Sequence, residues 1–192
     1  MNKLLLLLLL SITLVTLPAS AQVSDTIRVS SFGLAPDARV NATPVIIKAL
    51  EKCRTVNNPV LVFDKGRYDF WPQHSIEKDY FESNTTDNNP KRLAILVDQF
   101  KQLTIEGNGA DLIMHDRIQP FTIDQSANIT IQNLQVDWDI PLTAQAKVVE
   151  VTAQYIDLQI NMTESPYILE KGKLVFVGEG WKSGWWGTME FD

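Results

Sequence analysis

Val97-Asp98-Gln99-Phe100-Lys101-Gln102-Leu103-Thr104-Ile105 is echoed, 26 residues on at every matched position, by Ile123-Asp124-Gln125-Ser126-Ala127-Asn128-Ile129-Thr130-Ile131. A repeat of about 20–30 residues with one or two short strands per unit is the pattern of a solenoid whose coils bury one face against the next. The alternation that follows adds a corner. Ile129 and Ile131 are apolar on odd positions, whereas Leu134, Val136 and Trp138 are apolar on even ones. In one flat strand this change of parity would turn apolar side chains to water. A corner at Asn133, a residue that tolerates left-handed backbone angles, keeps both short strands facing inward. Gly107 and Gly109 punctuate the first copy at the same place. The expectation is an all-β chain whose strands wind as a parallel β-helix.

Toward the N-terminus, residues 27–63 read as strand, turn, helix and strand. Ile27 and Val29 alternate with polar residues, and Gly33 and Pro36 break the run. Thr43-Pro44 is a cap and first-turn signal, and Val45, Ile46, Ala49, Leu50 and Cys53 form one stripe at helical spacing. The helix is expected to end near Asn57-Asn58-Pro59, before a buried strand Val60-Leu61-Val62-Phe63 and a turn at Lys65-Gly66. Cys53 lies on the apolar stripe and is expected to be a buried free thiol, since a lone cysteine cannot form an intramolecular disulfide.

The N-terminal 21 residues read as an export leader. Lys3 supplies a positive start, residues 4–17 an apolar run, and Ala19-Ser20-Ala21 a small-x-small cleavage site, so the mature chain is expected to begin at Gln22 and to be periplasmic or secreted. The run stops at Pro18, short of the roughly 20 residues a membrane span needs, and no span is expected in the mature chain. The formal charge is −6, and losing Lys3 takes the mature chain to −7. That acidic balance argues against nucleic acid as a partner and suits a neutral ligand. His74 and His115 are isolated from each other and from Cys53, so no zinc-type spacing exists and neither metal nor cofactor is expected.

Two resemblances narrow the reading. Val29-Ser30-Ser31-Phe32-Gly33, Asp37, the helix from Thr43 to Cys53 and Val62-Phe63-x-x-Gly66-x-Tyr68 resemble the N-terminal capping module of pectate-lyase-type right-handed β-helices. Arg67-Tyr68-x-Phe70-x-Pro72, Phe81-x-Ser83-Asn84, Lys91-Arg92-Leu93-Ala94, Leu103-Thr104-Ile105-x-Gly107-x-Gly109 and Ile131-x-Asn133-Leu134-x-Val136-Asp137-Trp138 resemble the bacterial α-1,3-galactosidases acting on blood-group-B-type glycans. The resemblance implies a right-handed parallel β-helix, an inserted small β-barrel, and inverting hydrolysis by two carboxylates that releases terminal galactose. It also implies that this chain is the N-terminal part of a longer enzyme, with its catalytic carboxylates beyond Asp192. The expected divisions are a leader at 1–21, a capping module at 22–66, the first coils at 67–141 and the start of the barrel at 142–192, where strands over 147–160 and 173–177 lack the 26-residue echo.

Five residues are candidates for substrate contact. Asp137 and Asp139 lie two apart on a presumed strand and project to the same side if Trp138 points inward. Paired acids on a solvated face are usually only solubilising charge. Asn84, Asp87 and Arg92 lie in a polar stretch that a rigid scaffold could present to a sugar, or that is simply a surface loop. His115-Asp116-Arg117 is a weaker case of the same kind, and Trp181, Trp185 and Trp186 would either stack on sugar rings or fill a core. A uronate-cutting enzyme and a non-catalytic glycan-binding protein remain alternatives; the first would want a cationic cleft, the second no carboxylate pair.

Overall fold

The computed structural model describes residues 25–81 and 89–184. The expected leader, Asn84, Asp87, Trp185 and Trp186 lie outside the described residues. The strands are β1 (Asp25–Arg28), β2 (Pro59–Val62), β3 (Arg67–Phe70), β4 (Ile76–Lys78), β5 (Lys91–Asp98), β6 (Leu103–Met114), β7 (Gln119–Asp124), β8 (Ile129–Trp138), β9 (Ala146–Val151), β10 (Ile156–Ile160), β11 (Tyr167–Glu170), β12 (Lys173–Gly178) and β13 (Trp181–Gly184). One α-helix, α1 (Thr43–Cys53), packs against β1, β2 and β5. No described helix is long and apolar enough to cross a membrane.

The stripe in α1 behaves as its spacing requires: Ile46, Ala49, Leu50 and Cys53 are buried. The cap lies earlier than expected. Thr43 is buried, and it is the Asn41 side chain that accepts the Thr43 N–H, at 3.2 Å. Cys53 is almost wholly enclosed, and burial pushes its thiol up to about 11, against the smaller opposing effect of a backbone hydrogen bond.

The repeat appears as strand pairing. Leu103, Thr104 and Ile105 lie directly beside Ile129, Thr130 and Ile131, and Val97 and Asp98 beside Ile123 and Asp124, all in parallel register. The ladder between β6 and β8 breaks between Glu106 and Ala110, where Asn108, Gly109 and Asn133 take left-handed backbone angles. Glu106 stitches this corner. Its carboxylate accepts the Asn108 N–H at 2.8 Å and the side-chain amides of Gln132 and Asn133 at 2.8 and 2.9 Å, which together hold it below the usual carboxylate range.

The expectation of a right-handed parallel β-helix is nevertheless corrected. The described residues form an all-β arrangement of four separate sheets with one helix. The largest joins β1, β2, β6, β3 and β8; β4, β5 and β7 form a second; β9–β10 and β11–β12–β13 are wholly antiparallel, and β4 also adds to β5 antiparallel. A 26-residue offset states which residues sit side by side in two parallel pairs. Two copies specify neither the handedness of a winding nor its continuation.

The core lies between α1 and the first two sheets, filled by Leu61, Phe63, Phe70, Leu103, Ile105, Leu112 and Met114. Gly107 makes the corner possible. A Cβ there would run into the Leu134 Cβ and the Asn133 backbone, neither of which can swing aside. Gly107→Ala is expected to lower stability by about 1–3 kcal/mol, the usual cost of overpacking, measurable as a drop in the urea midpoint at unchanged slope.

Candidate functional site

Four elements converge at one end of the large sheet. Arg67 and Asp69 stand two apart on β3; His115 follows β6, Asp139 follows β8, and Glu179 sits in the turn between β12 and β13. The Arg67 guanidinium bridges two carboxylates, 2.5 Å from Asp69 Oδ1 and 2.6 Å from Asp139 Oδ1. His115 bridges two more contacts, with Nε2 2.9 Å from the same Asp69 oxygen and Nδ1 2.8 and 2.9 Å from the two Glu179 oxygens. Arg39 reaches within 3.8 Å of Asp69 from the rim.

Asp69 has no exposed side-chain surface. Burial opposes its ionisation, but hydrogen bonds from Arg67 and His115 outweigh that and hold its carboxyl below the usual range. His115 is buried as well, its ring stacked on Trp71 at 4.0 Å between centroids and 13° between planes. His115, Asp139 and Glu179 bring ligand-type atoms within 4.8 Å of one another, and Arg67 already supplies a cation beside them.

This network borders an open cleft of about 910 Å³, lined by Glu77, Arg92, Asp116, Arg117, Gln119, Trp138, Leu142 and Gly180 among others. Its floor is partly apolar, and the Trp138 indole N–H donates to the Asp116 carbonyl at 3.1 Å, which fixes the ring. Arg117 is exposed on the rim. A concavity of this size, part apolar with convergent polar groups, is of the kind that holds small ligands. A second polar cluster lies on the β4–β5–β7 sheet, where Asp124 takes Lys78 Nζ at 2.8 Å and the Tyr80 hydroxyl at 2.6 Å.

Of the sequence candidates, Asp139 joins the network, and Arg92 lines the cleft with a loose 3.4 Å pairing to Glu77. Asp137 does not share a site with Asp139: it accepts the neighbouring Trp138 N–H at 2.8 Å. Asn84 and Asp87 lie outside the described residues. Arg67, Asp69 and Glu179 were not among the candidates. The signal for the first two was an acid and a base at positions i and i+2 of a strand, interleaved with Tyr68 and Phe70; Glu179, more than 60 residues from His115 in sequence, left none.

Residues 144–192 match the family model of GLAA-B beta-barrel domain I. Along most of its length the chain is similar to alpha-1,3-galactosidases. Alpha-1,3-galactosidase B of Bacteroides thetaiotaomicron is 55% identical over 173 residues, covering 90% of this chain and 28% of that protein. Alpha-1,3-galactosidase A of Shewanella woodyi is 34% identical over 159 residues, 82% of this chain and 26% of that protein. Alpha-1,3-galactosidase B of Phocaeicola vulgatus is 33% identical over 173 residues, 88% of this chain and 29% of that protein. The chain thus spans under a third of the length of these relatives. The matched domain is a β-barrel, which fits the antiparallel β9 to β13 and falls where the start of a small barrel was expected; no β-helix is indicated.

Proposed function

We propose that this chain is part of an exported glycoside hydrolase that releases terminal α-1,3-linked galactose, and that the cleft beside Trp138 contacts the glycan. The observation that carries this reading is the 55% identity to an alpha-1,3-galactosidase over 90% of the chain. The leader-like residues 1–21 support export to the periplasm or beyond. The cleft supports the ligand class. Arg92, Arg117, Asp116, Glu77 and Gln119 offer donors and acceptors for hydroxyls, while Trp138, Leu142, Ile118 and Pro120 offer apolar surface for a ring face.

Hydrolysis with inversion needs an acid and a base about 6.5–9.5 Å apart with room for water between them. Asp69, Asp139 and Glu179 are engaged with Arg67 and His115, so this reading gives the present residues substrate contacts and a structural network rather than those two roles.

The test is galactose release from α-1,3-linked galactosides by the full-length protein of which this chain is part, with β-galactosides and polygalacturonate alongside, and calorimetric binding of an α-1,3-galactosyl disaccharide. Arg117→Ala is expected to weaken that binding about tenfold, the equivalent of about 1.4 kcal/mol. Depolymerisation of the polyuronate instead of galactose release would assign the chain to the uronate reading. Glycan binding with no release from any substrate would leave it a binding protein.

A further inference from the structure

We infer that Asp116 selects the sugar in this cleft, its carboxylate accepting two neighbouring hydroxyls of a pyranose ring stacked on Trp138, and that the ring so held is galactose and not its C4 epimer glucose. The inference rests on the function proposed above for the kind of ligand; it adds which group reads that ligand and by what feature.

Two acids line the cleft, and only one is engaged within the protein. Glu77 pairs with Arg92 at 3.4 Å, whereas no donor among the described residues reaches the Asp116 carboxylate. Asp116 is half-buried, and a carboxylate in that position ordinarily finds a donor nearby.

Its backbone, by contrast, is held at both polar groups. The N–H donates to Glu179 Oε2 at 3.2 Å, and the carbonyl accepts the Ile118 N–H at 3.2 Å and the Trp138 indole N–H at 3.1 Å. These bonds keep Asp116 at φ 54°, in the left-handed region that an aspartate tolerates at a small cost. Gly180 closes on the carboxylate from the β12–β13 turn, where a Cβ would come within 2.3 Å of Oδ2, yet it offers no hydrogen bond. A carboxylate fixed this firmly with no donor of its own is a preformed acceptor, and a ligand that meets it loses little in ordering it.

Trp138 supplies the other half. Its indole nitrogen is anchored on the Asp116 carbonyl, so the ring at the end of β8 and the carboxylate after β6 stand side by side, both lining the cleft. A pyranose lays a face of C–H groups on an aromatic ring and carries hydroxyls at its edge, where an ionised carboxylate accepts two at once. Galactose suits this pair better than glucose. Its axial 4-hydroxyl leaves the opposite face with contiguous C–H groups at C3, C4 and C5 and lies beside the 3-hydroxyl, so stacking and the two-pronged bond are made together. In glucose the ring hydrogens alternate between faces, and the apolar patch is broken. Arg117, exposed and without a partner among the described residues, stands next to Asp116 as a donor for the ring or linkage oxygens.

The test uses the full-length protein, an α-1,3-galactosyl disaccharide and the matching α-1,3-glucosyl disaccharide, with calorimetric binding and thermal melting measured for each variant. Wild type is expected to bind the galactosyl ligand at least about tenfold more tightly than the glucosyl one. Asp116→Asn keeps the shape and the left-handed angle but turns one acceptor into a donor, and it is expected to weaken galactosyl binding about tenfold and to erase most of the preference. Asp116→Gly takes the same angle freely and has no carboxylate, so it should lose the same binding. Both variants are expected to melt no lower than wild type, because the carboxylate has no bond within the protein to lose. Equal binding of the two disaccharides by wild type, or wild-type binding by Asp116→Asn, overturns the inference and leaves the proposed function in place. Binding lost only in step with a lower melting temperature makes Asp116 a structural residue and overturns it too. A wild type that binds neither disaccharide and releases no galactose overturns the proposed function, and this inference with it.

Discussion

Replacing Asp69 by alanine is expected to cost about 3–5 kcal/mol of folding stability, the range for breaking a buried ion pair from one side. The aspartate is enclosed and holds Arg67 on one side and His115 on the other through a single oxygen. Its removal leaves Arg67 and His115 without their shared partner, and Arg67 keeps only Asp139 at the half-exposed edge. Asp69→Asn preserves the shape and one acceptor, so it should lose less. Urea unfolding of both variants checks this, and an alanine variant as stable as the wild type would remove the network from any account of what holds β3 to the ends of β6 and β8. The carboxyl lies below its usual range, so its contribution is present above the unfolded value of about 3.9 and is lost as pH falls through the lower folded value.

The second large effect is in the core. Phe63→Ala is expected to destabilise by about 3–5 kcal/mol, combining lost transfer energy with the cavity left behind. Phe63 has no exposed surface, and its ring meets that of Tyr68 edge to face at 5.0 Å and 83°. Its N–H donates to the Glu106 carbonyl at 2.9 Å, just before the corner at Gly107. The void would therefore open beneath the bend on which β8 depends. Phe63→Leu retains most of the volume and should cost much less; a similar midpoint for the two variants would show that the site collapses around either side chain.

Local periodicity carried the parts of this fold that depend on neighbours in sequence. The α1 stripe, the parity switch at Asn133 and the offset that sets Leu103 beside Ile129 were all readable because each is written in the spacing of a few residues. The architecture was not. Whether a strand pairs parallel or antiparallel depends on the path between strands, and β4 against β5 leaves no mark in a 26-residue repeat. The site divides in the same way. Asp139 was legible from its place on a strand end, but its partner Arg67 is 72 residues away, and the ring that joins Asp69 to Glu179 spans three elements. Asp137 looked equivalent to Asp139 and differs because its carboxylate is satisfied by the adjacent N–H.

The enclosed Cys53 gives the molecule a built-in reporter. It is the single thiol in the chain, it is shut in on the sheet-facing side of α1, and burial suppresses its reactive thiolate. Alkylation there counts excursions in which the helix lifts from the sheet. By the same token, a cysteine introduced anywhere on the exposed surface would take a fluorophore alone, with the native thiol left in place.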